Sequence, residues 1–362
     1  MNPAGTTEVA ELVKFLKLRA NRQEFVTVKC QRMLGNQPPW QAVGLTVQRG
    51  QAYSLFADGL IYWSRRYPHL HGGPSFHLWA RINPCGRAVN LTSNSGTFVA
   101  DTAGELELGI YMGMWADEFG TLKSLDDLYR PLAGGLDVAV VLYHSEPLKS
   151  LERLCQQSRT PVAIVTEAAR LRSPDKTPGG WHYLHEAGYA TIYEQQETPG
   201  GHIVHAHANN EQGILRHPID FPLTPTTNLQ WRWRVEEHPS IDPENQAISH
   251  DYISLATEFD NGRDLTWVWS SCLKPGTFFQ CPIKTWQDRE THYVIRSHND
   301  SLGKWYTETR NVYDDVTKTM GPPPERITAI WLIVLSTFHH RIARAAFTGI
   351  KIVNKEFEIA VT

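Results

Sequence analysis

The chain is poor in the features that mark the common catalytic, redox and membrane classes. Among 362 residues there are five cysteines, Cys30, Cys85, Cys155, Cys272 and Cys281, and no two have the close spacing of a zinc knuckle or a redox pair. Their odd number and dispersal point to five free thiols in a reducing cytosol. No Gly-x-Ser-x-Gly elbow, Walker loop, dinucleotide fingerprint or His-Glu-x-x-His pair occurs. That argues against nucleotide hydrolysis and cofactor-driven redox chemistry, and no cofactor is expected. Lys and Arg form no run and the net charge is −3, so a nucleic-acid backbone is not an expected partner. The longest apolar stretch, residues 327–335, contains Thr328 and is too short to span a bilayer. Residues 1–7 are polar and lack an apolar signal core. The expectation is a cytoplasmic protein without a membrane partner, acting on a small-molecule ligand, with a homo-oligomer left open.

What the chain does have is tryptophan, 12 in all, most of which should be core because the side chain buries so much area. It also has many short β-like runs. Residues 7–20 read as one amphipathic helix, with Val9, Leu12, Val13 and Leu16 at helical spacing. From Phe25 onward, strand-like runs are broken by Gly, Pro and Asn without intervening helices, the pattern of a sandwich or barrel. Residues 146–180 differ. A short helical stripe (Leu148, Leu151, Leu154, Cys155) is followed by the breaker-rich run 173–180. The β pattern resumes after Trp181. The reading is all-β: two tandem β-sandwich, jelly-roll-like domains with a short N-terminal helix and a partly helical linker. The boundaries are 1–24 for the helix, 25–145 for the first sandwich, 146–180 for the linker and 181–362 for the second, catalytic sandwich.

Two resemblances accompany this reading. Trp40 with Val43-Gly44-Leu45-Thr46-Val47, Gly50-Gln51, Tyr53, Ala57-Asp58-Gly59, Thr97-Phe98 and Gly104-Glu105-Leu106-Glu107-Leu108-Gly109 resembles the small β-sandwich of bacterial galactose-binding lectins. In those lectins the position of residues 115–122 is a calcium loop with an Asp-Asn pair. Here Asp117 is followed by Glu118, and the preceding element reads Met112-Gly113. In the second half, residues 229–235, Asp251 through Phe259, Trp267-Val268-Trp269, Gly303-Lys304-Trp305, Arg310-Asn311-Val312, Asp315 and Ile330-Trp331-Leu332-Ile333 resemble a bacterial domain family of unknown function. That resemblance implies a jelly-roll sandwich and brings no activity with it. Where such domains tend to end a strand with an acidic turn, this chain has Phe338-His339-His340-Arg341.

Side chains alternate between the two faces of a strand, so His205 and His207 should share one face while Val204, Ala206 and Ala208 turn to the core. Two such imidazoles can act as acid and base, or can chelate a metal if a third ligand converges. An ordinary solvated pair is the alternative. By the same alternation Trp231, Trp233 and Val235 oppose Arg232 and Arg234, and Tyr252 and Glu258 share a face. The expected catalytic group is therefore His205, His207 and Glu258. Substrate contacts are expected from Arg232, Tyr252, Trp269, His339 and His340. For Arg310, Asn311 and Asp315 the expected role is structural hydrogen bonding.

Two main functions remain open on these residues. The first is a cofactor-independent lyase, hydratase or isomerase that uses His/Glu acid–base chemistry on a partly apolar or aromatic metabolite. The second is a non-catalytic carbohydrate-binding protein with aromatic stacking surfaces. A metal-dependent enzyme built on His205 and His207 is the third. The damaged calcium motif favours the first.

Overall fold

The computed structural model describes residues 8–19, 25–37, 39–112, 114–123, 126–173 and 175–362. The chain divides into two compact units, Met1–Asp175 and Lys176–Thr362. Both are β-sandwiches, so the chain is all-β with short helical additions. Among the described residues no helix is long and apolar enough to cross a membrane.

The first unit opens with α1 (Glu8–Arg19), whose Val9, Leu12, Val13 and Leu16 are all buried. Thr7 and Ala20, the expected helix ends, lie outside the described residues, as does Gly113 of the lectin motif. There follow β1 (Phe25–Leu34), β2 (Trp40–Val47), β3 (Ala52–Tyr62), β4 (His71–Gly72), α2 (Pro74–His77), β5 (Leu78–Ile82), β6 (Val89–Asn90), β7 (Ser95–Val99), β8 (Gly104–Ile110), β9 (Ala133–Tyr143), α3 (Pro147–Cys155) and α4 (Val162–Arg172). One sheet runs β1-β9-β3-β4, with β7 also on β3, and the other runs β2-β8-β5-β6. Met33, Val43, Leu55, Leu106, Leu136 and Val138 belong to the core that both sheets share.

The alternate residues of β9, Ala139, Val141 and Tyr143, face the other way and are covered by α1, α3 and α4 through Leu12, Leu16, Leu151, Leu154 and Ile164. This corrects the reading of residues 146–180 as a linker: up to Arg172 they are a packed layer of the first unit. The anchor is Glu167 of α4, which is fully buried. Its carboxylate accepts from Ser95 Oγ at 2.8 Å, Thr97 Oγ1 at 2.6 Å and both guanidinium arms of Arg170 at 2.9 and 2.5 Å. A charge that deep is tolerable only with all its lone pairs met.

His77 shows the same rule for a neutral group. It is fully buried, Trp63 Nε1–H donates to its Nε2 at 2.8 Å, and so its Nδ1 must carry the proton given to the Tyr111 carbonyl at 2.7 Å. Burial lowers its pKa from 6.5 to about 4. A depressed folded-state pKa contributes stability above the unfolded value that is lost as pH falls through the folded one. Melting of the first unit should therefore drop between pH 6.5 and about 4. His77→Gln should melt lower at neutral pH yet show a shallower decline over that window, measured by thermal denaturation against pH. Parallel profiles for the two proteins would remove His77 as a cause.

The second unit contains β10 (His182–Tyr183), β11 (Tyr193–Thr198), β12 (Gly201–Asn209), β13 (Gln212–Pro222), β14 (Asn228–Glu237), β15 (Ile253–Phe259), β16 (Asp264–Trp269), β17 (Phe278–Gln280), β18 (Glu290–Arg296), β19 (Tyr306–Asn311), α5 (Val312–Met320), β20 (Arg326–Leu335), β21 (Ile342–Val353) and β22 (Glu358–Ala360). The seven-stranded sheet has the order β10-β13-β20-β15-β16-β18-β17. The six-stranded sheet has the order β11-β12-β21-β14-β19, with β22 on β21. Neighbouring strands pair antiparallel except β16 with β18, which are parallel and joined by the long segment 270–289 that includes edge strand β17.

The two sheets are buried differently. In β14, Leu229, Trp231, Trp233 and Val235 enter the core between the sheets while Arg232 is exposed. In β20 almost every residue is buried: Ile330, Leu332 and Val334 face that core, whereas Ala329, Trp331 and Ile333 belong to a second apolar cluster with Leu184, Tyr252, Ala256 and Val268. An unbroken apolar run is the mark of a strand covered on both faces, and alternation is the mark of one covered on a single face. The seven-stranded sheet thus carries an extra outer layer, and the six-stranded sheet presents an open outer face.

Polar ties fix the large core. Trp267 Nε1–H donates to Asp315 Oδ2 at 2.8 Å, Arg310 grips the same carboxylate at 2.8 and 2.5 Å, and Asn311 Oδ1 caps α5 at the Asp314 N–H. Arg310, Asn311 and Asp315 thus all take part in hydrogen bonds that tie α5 and β19 to the core.

Candidate functional site

The alternation expected along β12 is present: Val204, Ala206 and Ala208 are buried, His205 is half-buried and His207 is exposed. β12 pairs with β21, and β21 with β14, so the outward side chains of β12 and β14 lie on one face. His205 and Arg234 both pair with Ala346, one from each side. Arg232 lies one step along β14, paired with Thr348. The structure therefore places His205, His207 and Arg232 on the same open face, with His207 and Arg232 at opposite ends of this stretch of β21, beside Arg344 and Thr348. Trp305 joins them just before β19, next to the Trp233–Tyr306 pair. The Arg234 guanidinium lies 5.0 Å from its ring centroid and that of Arg232 lies 5.5 Å away. His205 Nε2 is 2.9 Å from Gln196 Oε1. Sequence reasoning missed Trp305 as a site residue, although Gly303-Lys304-Trp305 marked the stretch. Its signal was an aromatic in a polar, glycine-containing run.

Glu258 and Tyr252 are elsewhere. They do lie on one side, Glu258 on β15 and Tyr252 just before it, but β15 belongs to the opposite sheet. Their face is the outer one of that sheet, which packs about 10 Å from the histidines' sheet, and the two groups point away from each other. Glu258 is held by Arg216 Nε at 2.7 Å, Trp331 Nε1 at 3.1 Å and Arg289 at 3.6 Å. Tyr252 is fully buried and its hydroxyl reaches Glu290 Oε1 at 3.4 Å. Trp269 is also buried, packed on Trp233 and Tyr306 inside the sandwich, and touches no surface. The expected His/Glu acid–base group is thus not assembled. Alternation says which face a side chain takes along its own strand, but not which sheet that strand joins.

His339 and His340 form a separate cluster at the end of β20. The Asp251 carboxylate is fully buried and accepts the backbone N–H groups of Phe338 and His339 at 3.0 and 2.7 Å. His339 Nδ1 lies 3.2 Å from Asp251 Oδ2, and its Nε2 lies 3.3 Å from Asp242 Oδ2. His340 adopts φ +52° and contacts Asn210 Oδ1 through Nδ1. These residues build a turn.

Beneath the outer layer of the seven-stranded sheet lies a group of titratable residues that sequence reasoning missed. His250, Cys281 and Glu290 are all buried, with one donor atom from each within 4.8 Å of the others. Cys281 Sγ is 3.4 Å from His250 Nε2. His292 stands beside His250, ring centroids 4.9 Å apart, and stacks flat on Phe279. Burial lowers His250 to about 4, holds His292 well below its usual value, lifts the Cys281 thiol and raises Glu290 to about 7. Cys281 and Glu290 are set side by side where β17 pairs with β18, and His250 comes from 31 positions before Cys281. The one local signal is Glu290-Thr291-His292, two titratable groups at strand spacing just before the apolar Tyr293-Val294-Ile295.

In the first unit, the loop at the lectin calcium position closes on itself. Asp117 Oδ1 accepts the N–H groups of Phe119 and Thr121 at 3.0 Å each, and Trp40 Nε1–H donates to the Gly120 carbonyl at 2.7 Å. Trp40 stacks on Trp115 and lies under the Arg81 guanidinium.

Residues 180–351 match the model of a protein family of unknown function, DUF3047. No curated protein matches. Among solved structures, the chain is similar to the N-terminal domain of EclA, a PllA-like lectin, at 13% identity over 34% of this chain and 99% of that one, with a TM-score of 0.26. It is similar to the xyloglucanase domain of NopAA, a type three effector from Sinorhizobium fredii, at 7% identity over 49% of this chain and 94% of that one, TM-score 0.31. It is also similar to carbohydrate-binding modules of the β-sandwich superfamily, at 10% identity over 91% of this chain and 98% of those, TM-score 0.24. The lectin resemblance of the first half and the unknown-function family of the second are both found. The lyase, hydratase or isomerase reading is corrected. Its catalytic group is split between two sheets, His205 and His207 on one and Glu258 on the other. The metal enzyme on His205 and His207 lacks its third ligand, since no further His, Cys, Asp or Glu donor converges on them among the described residues.

The His339 contacts predict a pH dependence. Hydrogen bonding to Asp251 raises its pKa above 6.5. A raised folded-state pKa contributes stability that is present below the unfolded value and lost as pH rises through the folded one. The melting difference between the parent chain and His339→Gln should be largest below about pH 6 and shrink above neutrality. A difference independent of pH would show that His339 is not held charged.

Proposed function

We propose that the second unit binds carbohydrate without turning it over, on the open outer face of the six-stranded sheet. The observation that carries this reading is Trp305: a half-exposed indole standing beside two guanidiniums, Arg232 and Arg234, on a polar sheet face. A pyranose ring offers an apolar C–H face and a rim of hydroxyls. An indole matches the first, and the forked donors of arginine match adjacent hydroxyls in a fixed geometry. His205, Gln196 and Thr307 add hydrogen-bonding groups on the neighbouring strands. The outward positions of the face are mostly polar and at least partly exposed, as suits recognition of an extended or surface-linked sugar. In this reading the ligand is a small sugar or a short stretch of polysaccharide, and the binding is independent of calcium.

The test is a glycan array on the full chain, followed by calorimetry on the best ligand. Trp305→Ala should weaken binding at least about tenfold, equivalent to about 1.4 kcal/mol, with the melting temperature nearly unchanged. Arg232→Ala should weaken it less. A chain silent towards every glycan, or a Trp305→Ala variant that binds like the parent, overturns the reading.

A further inference from the structure

We propose that His250, Cys281 and Glu290 bind one zinc ion, which pins the loop and the long segment covering the seven-stranded sheet. This site lies on the other side of the sandwich from the sugar face and does not rest on that reading.

The geometry is that of ligands around a small cation. Zinc–nitrogen and zinc–sulfur bonds of about 2.0 and 2.3 Å at a tetrahedral angle put the two ligand atoms about 3.5 Å apart. Cys281 Sγ and His250 Nε2 are 3.4 Å apart, and Glu290 supplies a carboxylate oxygen within the same 4.8 Å group. The imidazole is already set as a metal ligand. His250 Nδ1 faces the Glu244 carbonyl at hydrogen-bond distance, which can only accept, so Nδ1 carries the proton and Nε2 presents its lone pair towards Cys281.

A fourth donor is at hand. His292 is fully buried, and both its ring nitrogens lack a hydrogen-bond partner among the described residues. Its Nε2 lies 3.9 Å from Glu290 Oε2. A buried imidazole with neither nitrogen satisfied is costly, and a small movement towards the ion would satisfy one of them. The pocket also needs positive charge. A thiol and two carboxylic acids, Cys281, Glu290 and Asp264, are buried, and acidic groups held away from water are costly to ionise. A divalent cation reverses that cost by stabilising the thiolate and carboxylate.

The donor set selects the metal. One thiolate with imidazole and carboxylate suits zinc, whereas calcium and magnesium take oxygen ligands. With His292 the set closes, leaving no open position, so the ion is structural. His250 ends the loop that begins near Ser240, Cys281 lies in the segment 270–289, and Glu290 starts β18. Glu244 already ties the first two, receiving the Ser270 hydroxyl and the Ser271 N–H. The ion fastens both to the sheet.

Metal analysis of the full chain, purified without chelators or a nickel column, should give one zinc per chain. Cys281→Ser should lose it, and Cys272→Ser, outside the cluster, should retain it. As a second measurement, chain stripped by a chelator and refilled with cobalt(II) should show a thiolate-to-cobalt charge-transfer band that is absent without Cys281. If Cys281→Ser fails to fold, the band in the parent chain decides alone. A parent chain that holds no stoichiometric zinc and gives no thiolate band with cobalt overturns the proposal. So does a folded Cys281→Ser chain that keeps zinc as the parent does.

Discussion

Strand β20 is apolar on both of its faces, and the second unit is organised around that constraint. Ile330, Leu332 and Val334 must be covered on one side, and Ala329, Trp331 and Ile333 on the other. The six-stranded sheet meets the first demand. The second is met by β15's own neighbours, by Leu184 and by Trp286 from the segment between β16 and β18. Covering a sheet a second time brings loops, and loops bring polar groups into places where water cannot follow. The buried ionisable cluster of His250, Cys281, Glu290 and His292, and the ion pairs of Arg289 with Glu186 and Glu258, are products of that second layer.

The opposite sheet answers to a different rule. Because β12 and β14 are covered on one side only, their outward positions are free to be polar without cost, and they are filled with imidazole, guanidinium and amide groups. That division separates two tasks. The covered sheet holds the fold together and hides its titratable groups. The open sheet offers a surface on which Trp305, Arg232 and Arg234 meet solvent and any ligand it carries.

Much of this was legible from residue order. The alternation of Trp231, Trp233 and Val235 against Arg232 gave the correct faces for β14, and His205 and His207 fell outward as their spacing required. The helix stripe of Val9, Leu12, Val13 and Leu16 was equally readable. Sheet membership was not, because pairing is a long-range property: β12 reaches β14 only through β21, some 140 residues further along than β12. That hid the separation of Glu258 from the histidines. The same limit turned α3 and α4 into an apparent linker, since the sheet partners of Glu167 are Ser95 and Thr97, 72 and 70 positions earlier. His250 meets Cys281 and Glu290 from 31 positions before Cys281, and the β17–β18 pairing that sets the latter two side by side matches no local metal motif.

The central claim is that one outer face of the second unit is sealed and the other is open. The most direct measurement is the unfolding free energy of two lysine substitutions, one on each face. His207→Lys, on the open face, should change stability by no more than about 0.5 kcal/mol. Ala256→Lys, on the sealed face where Ala256 is fully buried, should cost several kcal/mol or prevent folding. Equal, small effects at both positions would contradict the account.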